Sequence, residues 1–112
     1  MKILVCISSV PDTTTKISFS NDNTEFNSTG VQFVINPNDE FGLTKALQIK
    51  EDNTGSTVTV IHVGPATNDP IIRKSLAIGA DDAVRIDTMA KDPIQVANEI
   101  ASYVKENPFD II

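Results

Sequence analysis

Two apolar runs limit what this chain can fold into. Ile3-Leu4-Val5-Cys6-Ile7 is apolar at every position, and Thr57-Val58-Thr59-Val60-Ile61-His62-Val63 reads as the second central strand. A strand without polar alternation is buried on both faces, which points to the interior of a parallel sheet. Parallel strands need helical crossovers, and the sequence supplies three. The first is expected at 39–52, with Leu43, Ala46, Leu47 and Lys50 on one stripe, Asn38 as N-cap and Gly55 beyond the close. The second opens at Asn68-Asp69-Pro70, shares Ile72, Leu76 and Gly79 on one face, and stops at Gly79. The third opens at Asp92-Pro93, carries Ile94, Ala97, Ile100, Ala101 and Val104 as its apolar stripe, and ends at Asn107-Pro108. Ala83-Val84-Arg85-Ile86 reads as a short strand. Strands alternating with helices predict an α/β fold: one doubly wound, mostly parallel sheet with helices on both faces, over residues 1–112.

Two segments depart from that rhythm. Residues 13–30 are rich in Thr, Ser, Asn and Asp. Lys16-Ile17-Ser18-Phe19, the turn residues Asn21-Asp22-Asn23 and a second arm at Gly30-Val31-Gln32-Phe33-Val34 predict a small hairpin over one end of the sheet. Pro108-Phe109-Asp110-Ile111-Ile112 reads as a helix exit followed by the first half of a buried strand. The expectation is therefore an amino-terminal part of a longer subunit, with its sheet truncated at the carboxyl end.

A chain of 112 residues supports one core. The formal net charge of -6 gives no electrostatic reason to hold nucleic acid or an anionic membrane. Cys6 is the only cysteine, so no intrachain disulfide forms, in keeping with a reducing compartment. There is no secretory leader pattern and no apolar stretch approaching the roughly 20 residues of a membrane span. The expected location is the cytoplasm.

Neither Gly-x-Gly-x-x-Gly nor a Gly-Lys-Ser/Thr phosphate loop is present. Ser8-Ser9-Val10-Pro11-Asp12 follows the first strand, either as an ordinary exit or as a polar loop that wraps a ligand at a strand's carboxyl end. Asn36-Pro37-Asn38-Asp39 joins a rigid turn to a helix start. Free amides there suit an anion, and an asparagine side chain matches the edge of a purine, but Asn and Asp are also what plain caps prefer. Gly64 either lets a ligand approach the backbone or merely ends the strand. Cys6, inside an apolar strand, is expected to act as a small buried hydrophobe. His62 is the only histidine and has no second ligand for a metal. Asp81-Asp82 read as a solvated turn.

The order of these pieces resembles the amino-terminal part of the beta subunit of electron transfer flavoproteins. The resemblance rests on Met1–Ile7 with Val10-Pro11-Asp12, on Val34-Ile35-Asn36-Pro37-Asn38-Asp39-Glu40-Phe41, on Val58–Pro65, and on Arg73–Asp81. It implies an adenine-nucleotide-binding, Rossmann-like domain and a carrier rather than an enzyme with its own substrate. It also implies a structural AMP touching Cys6, Asn36, Pro37, Asn38, Asp39 and Val63. An alpha subunit would pair with this chain and hold most of the FAD, and dehydrogenases, often acyl-CoA dehydrogenases, would donate electrons. The family's later phosphate loop and docking segment have no counterpart in these residues, so the resemblance implies that these residues alone bind AMP poorly or not at all and do not retain FAD. A basic side chain common in the family near position 8 is replaced by Ser8-Ser9. The alternative is a stand-alone adenine-nucleotide-binding module of the stress-protein type, which needs a glycine-rich phosphate loop.

Overall fold

A computed structural model describes all 112 residues. Strand β1, Lys2–Cys6, pairs in parallel with β6, Thr57–Val63, and β6 pairs in parallel with β7, Asp82–Ile86. The order is β1-β6-β7. On the free side of β1 a single parallel bridge joins Ile3 to Ile111, where the Leu4 amide donates to the Ile111 carbonyl at 2.9 Å. The expected last strand is thus one bridge long.

Three helices cover the sheet. Helix α1 spans Pro37–Asp52, α2 spans Asp69–Ile78 after a short 3-10 turn at Ala66–Asn68, and α3 spans Pro93–Glu106. Pleat alternation sorts the core. Ile3, Val5, Ile7, Val58 and Val60 face Leu43 and Ala46 of α1 and Ile71 and Ile72 of α2 in one buried cluster. The intervening Leu4, Ile61 and Val63 are equally buried on the opposite face. The helix left to cover them is α3, which packs on β6. The expected α/β architecture with a mostly parallel sheet is what the chain forms.

Details differ from the sequence reading. Helix α1 starts two residues early: Asn36 is the N-cap, its side chain accepting from the Asn38 amide, and Pro37 occupies the first turn. The fixed φ of proline suits that place, where its missing N–H costs nothing. In α2 the buried residues are Ile71, Ile72 and Ser75, while Leu76 is exposed. In α3 the side turned inward carries Val96, Ile100, Tyr103 and Val104, all half-buried, and Ile94, Ala97 and Ala101 face outward. Asp92 caps α3 as expected, accepting from the Gln95 amide.

The hairpin forms with different arms. Strand β3, Phe19–Ser20, pairs with β4, Glu25–Phe26, around Asn21, Asp22 and Asn23, which all hold positive φ. Asparagine and aspartate tolerate that conformation best among residues with a side chain. Residues 33–35 pair elsewhere: β5, Phe33–Ile35, runs antiparallel to β2, Ser9–Pro11. This ribbon carries the chain out from the end of β1 and back to α1.

Candidate functional site

The carboxyl end of β1 lies where several elements meet. The Ile7 amide continues the ladder by donating to Ile61 O at 2.9 Å. Next in the chain, Ser8 is held on three atoms. Its amide and its hydroxyl both donate to Asp39 Oδ2, at 2.8 and 2.6 Å, and its carbonyl accepts from the Asn36 amide at 2.9 Å. The strand exit is therefore fixed to the start of α1.

That helix start is closed on itself. Asn36 Oδ1 takes the Asn38 amide at 3.0 Å, and the Asn36 carbonyl takes the amides of Asp39 and Glu40. Pro37 has no amide to offer. The first turn of α1 consequently leaves no backbone donor free, and the Asn36 side chain spends its oxygen on the cap.

The carboxyl end of β6 is arranged differently. Its odd-numbered residues turn their backbone toward β1, as the bonds Thr57 N–H to Met1 O and Ile7 N–H to Ile61 O show. The next rung would run from the Val63 amide to the Ile7 carbonyl. That rung is absent: the Ile7 carbonyl accepts instead from His62 Nδ1 at 2.9 Å. Facing a carbonyl, Nδ1 is the donor, and Nε2 lies 2.9 Å from Asn68 Nδ2, an amide nitrogen that donates to it. Val63, only 4% exposed, is left with its N–H and C=O outside the ladder. Such an unpaired buried amide is uncommon in a folded chain.

Gly64 is enclosed by its own neighbours. Its amide donates to Ile86 O at 3.0 Å and its carbonyl accepts from Arg85 Nη1 at 3.0 Å. A Cβ there would lie 2.5 Å from His62 Nε2 and 2.7 Å from Asn68 Nδ2. Glycine is needed to admit those two side chains rather than to admit a ligand. Arg85 also bonds Asp69 at 3.0 Å and Asp87 at 2.8 Å, tying the β7 exit to the start of α2.

Along the open edge of β1, between that strand, α1 and Ile111, runs a groove of about 320 Å³. Cys6, Asn38, Asp39 and Lys45 line it, over an apolar floor that includes Val5 and Ala46. Cys6 is exposed there, contrary to the buried position expected from sequence. The cause is the edge itself, since the pairing on that side of β1 is the one bridge between Ile3 and Ile111. Partial desolvation in the groove, and secondarily the Asp39 carboxylate, push the Cys6 thiol above its usual range. Buried beside the same exit, the Ser9 hydroxyl has no hydrogen-bond partner.

Of the residues singled out from sequence, the groove brings together Cys6, Asn38 and Asp39 alone, and Val63 lies across β1 from it, at the β6 exit. Asn36 and Pro37 start the adjoining helix. Sequence reasoning missed Ser8 as the partner of Asp39, and it missed the bracket formed by His62, Gly64 and Asn68. The available signal was the spacing of a lone histidine two residues before a glycine and six before an asparagine. Asp81 is also more than a solvated turn, because it accepts from Lys50 Nζ and, at 2.8 Å, from the Val58 amide.

Residues 24–112 match the model of the electron transfer flavoprotein domain. The chain is similar over its whole length to the electron transfer flavoprotein subunit beta of Dictyostelium discoideum, 35% identical over 46% of that protein. It is likewise similar over its whole length to the subunit of that name from Clostridium acetobutylicum, 36% identical over 44% of it. The acryloyl-CoA reductase electron transfer subunit gamma of Anaerotignum propionicum is 40% identical over 77% of the chain and 32% of that protein. The chain spans less than half the length of these relatives. With the family's domain model covering most of its residues and beta subunits matching it from end to end, this chain belongs to the electron transfer flavoprotein family, on the beta-subunit side.

Proposed function

We propose that this chain is the nucleotide-holding part of an electron-carrier subunit, and that the nucleotide is AMP in a structural role. The observation that carries the proposal is the unpaired backbone of Val63 beside the Ile7–Ser8 exit. One peptide N–H and one C=O match the acceptor and donor on the edge of an adenine. The buried, unpartnered Ser9 hydroxyl adds a polar group needing a partner at the same strand exit. By the family resemblance, Cys6, Asn36, Pro37, Asn38 and Asp39 complete the surround. Asn36 acts through backbone and helix placement, since its oxygen is engaged in the cap. Asp39 acts through Ser8. Lys45, which makes no ion pair, is the cation of the groove nearest in kind to what a phosphate needs.

In this reading an alpha subunit supplies most of the FAD site. The pair passes electrons from dehydrogenases, often acyl-CoA dehydrogenases, to an acceptor in the cytoplasm. The chain catalyses no reaction of its own. Its residues bind and position, and the flavin supplies the redox chemistry when the complex is assembled. The named assemblies of relatives support a partner subunit: one is an electron transfer subunit of an acryloyl-CoA reductase, another a subunit of the caffeyl-CoA reductase-Etf complex of Acetobacterium woodii. No helix here is long and apolar enough to cross a membrane.

The test has two arms. AMP titrated into the labelled chain should shift the Val63 and Ser8 amide resonances ahead of all others, and adenosine should do so more weakly. Co-expression of a subunit of the relatives' full length carrying these residues with a family alpha subunit should yield a yellow complex, while the 112-residue chain alone stays colourless. Stoichiometric flavin on the isolated chain, or AMP shifts scattered away from Val63 and Ser8, would refute the assignment.

A further inference from the structure

We propose that His62 is a positioning residue that keeps the Val63 backbone open to a ligand by occupying the carbonyl that would otherwise close it. The inference rests on the nucleotide reading above and names how this chain prepares that site.

In a regular parallel ladder the bond from Ile7 N–H to Ile61 O is followed by one from Val63 N–H to Ile7 O. The first is present at 2.9 Å and the second is missing. In its place stands His62 Nδ1–H, 2.9 Å from the Ile7 oxygen. Two further contacts hold the ring in that role. Asn68, at the start of α2, donates to Nε2 at 2.9 Å and so fixes which nitrogen carries the proton. Gly64 leaves the room that the ring and the Asn68 amide fill, with no space for a Cβ. His62 as a whole is only 4% exposed, so water competes little for its ring nitrogens. The arrangement trades a backbone rung for a side-chain bond and leaves the peptide groups of Val63 unpaired at the β1–β6 exit. A strand pair that zipped up to Val63 would have to break a hydrogen bond before a purine edge could use the amide.

The experiment uses the labelled 112-residue chain and AMP as probe. In the wild type, no scalar coupling should cross from Val63 N to the Ile7 carbonyl carbon, and the His62 nitrogens should show a protonated Nδ1. In His62→Leu the freed carbonyl should take the Val63 amide. The coupling should appear, Val63 exchange should slow by about tenfold or more, and AMP affinity should fall by about fivefold to tenfold, the worth of one hydrogen bond. His62→Asn restores an N–H at the place of Nδ1 and should recover both the open amide and the affinity, which a merely space-filling role would not. Asn68→Ala, which loosens the ring without emptying the core, should move both readouts part of the way and serves if His62→Leu does not fold. A Val63–Ile7 coupling in the wild type would overturn the proposal, as would unchanged AMP affinity in His62→Leu once that coupling has formed. If the coupling pattern is as expected and AMP moves nothing in any variant, the nucleotide falls and with it the purpose given to His62, while the diverted hydrogen bond stands.

Discussion

At the scale of single residues, glycine and cysteine show how neighbours decide what a side chain is for. Gly64→Ala would push a methyl group onto the His62 ring and the Asn68 amide. Both belong to a buried network with little freedom to move, so a loss of about 1–3 kcal/mol is expected in denaturant melts. Asn68→Ala combined with Gly64→Ala should cost less than the sum of the two, because the second clash is gone. Cys6 makes a prediction of another kind. Its thiol is held above the ordinary value by desolvation and then by Asp39. Alkylation by iodoacetamide at neutral pH should therefore run slower than for free cysteine, although the residue is exposed. The rate should climb only as pH passes above the free-thiol range, and Asp39→Asn should shift that midpoint down. The apolar neighbours of Cys6 in sequence gave the right strand and the wrong burial. Exposure depended on Cys6 lying at a sheet edge, which no local pattern marks.

At the scale of elements, Asp81 joins three of them. It bonds Lys50 in the last turn of α1 and the amide of Val58 in β6, and it directly precedes β7. The Lys50 bond first, and the Val58 amide next, hold its carboxyl below the usual aspartate range. A lowered folded-state value means the stabilisation is present above the unfolded value, near 4, and drains away as pH falls through the folded one. Asp81→Asn should flatten the acid limb of a stability–pH curve. The loss near neutrality should be about 1 kcal/mol, kept small because the pair is partly exposed.

Element identity was largely legible in the sequence, since strands without alternation and Asp-Pro or Asn-Asp-Pro openings are local signals. What was not legible depended on company. Ile94, Ala97 and Ala101 fit a helical stripe, yet α3 turns Val96 and Tyr103 inward instead, because the partner face of the sheet sets its rotation. The same limit applies to the candidate site: its strand ends could be read, while the diversion of Ile7 by His62 required two strands to be side by side.

At the scale of the whole molecule, the shape is long, with extents of 52 × 28 × 19 Å. A core of parallel sheet and helices carries an inserted ribbon and hairpin. Phe26 meets Phe33 edge to face at 6.5 Å, and Phe19 is 58% exposed. None of these three rings belongs to the buried cluster. Isolated two-stranded arms are marginal in water, so protease should cut first at the tip, between Asn21 and Thr24. Replacing residues 18–27 by a short glycine-serine turn should move the melting temperature of the core by no more than about 2–4 °C. A larger loss would mean that the arm helps to hold the sheet together.

The half-paired flank of β1 has a practical consequence. Apart from the single bridge at Ile3 its outward peptide groups are unpaired, and a row of unpaired strand groups is a template for another extended chain. Preparations should drift toward soluble oligomers as they are concentrated.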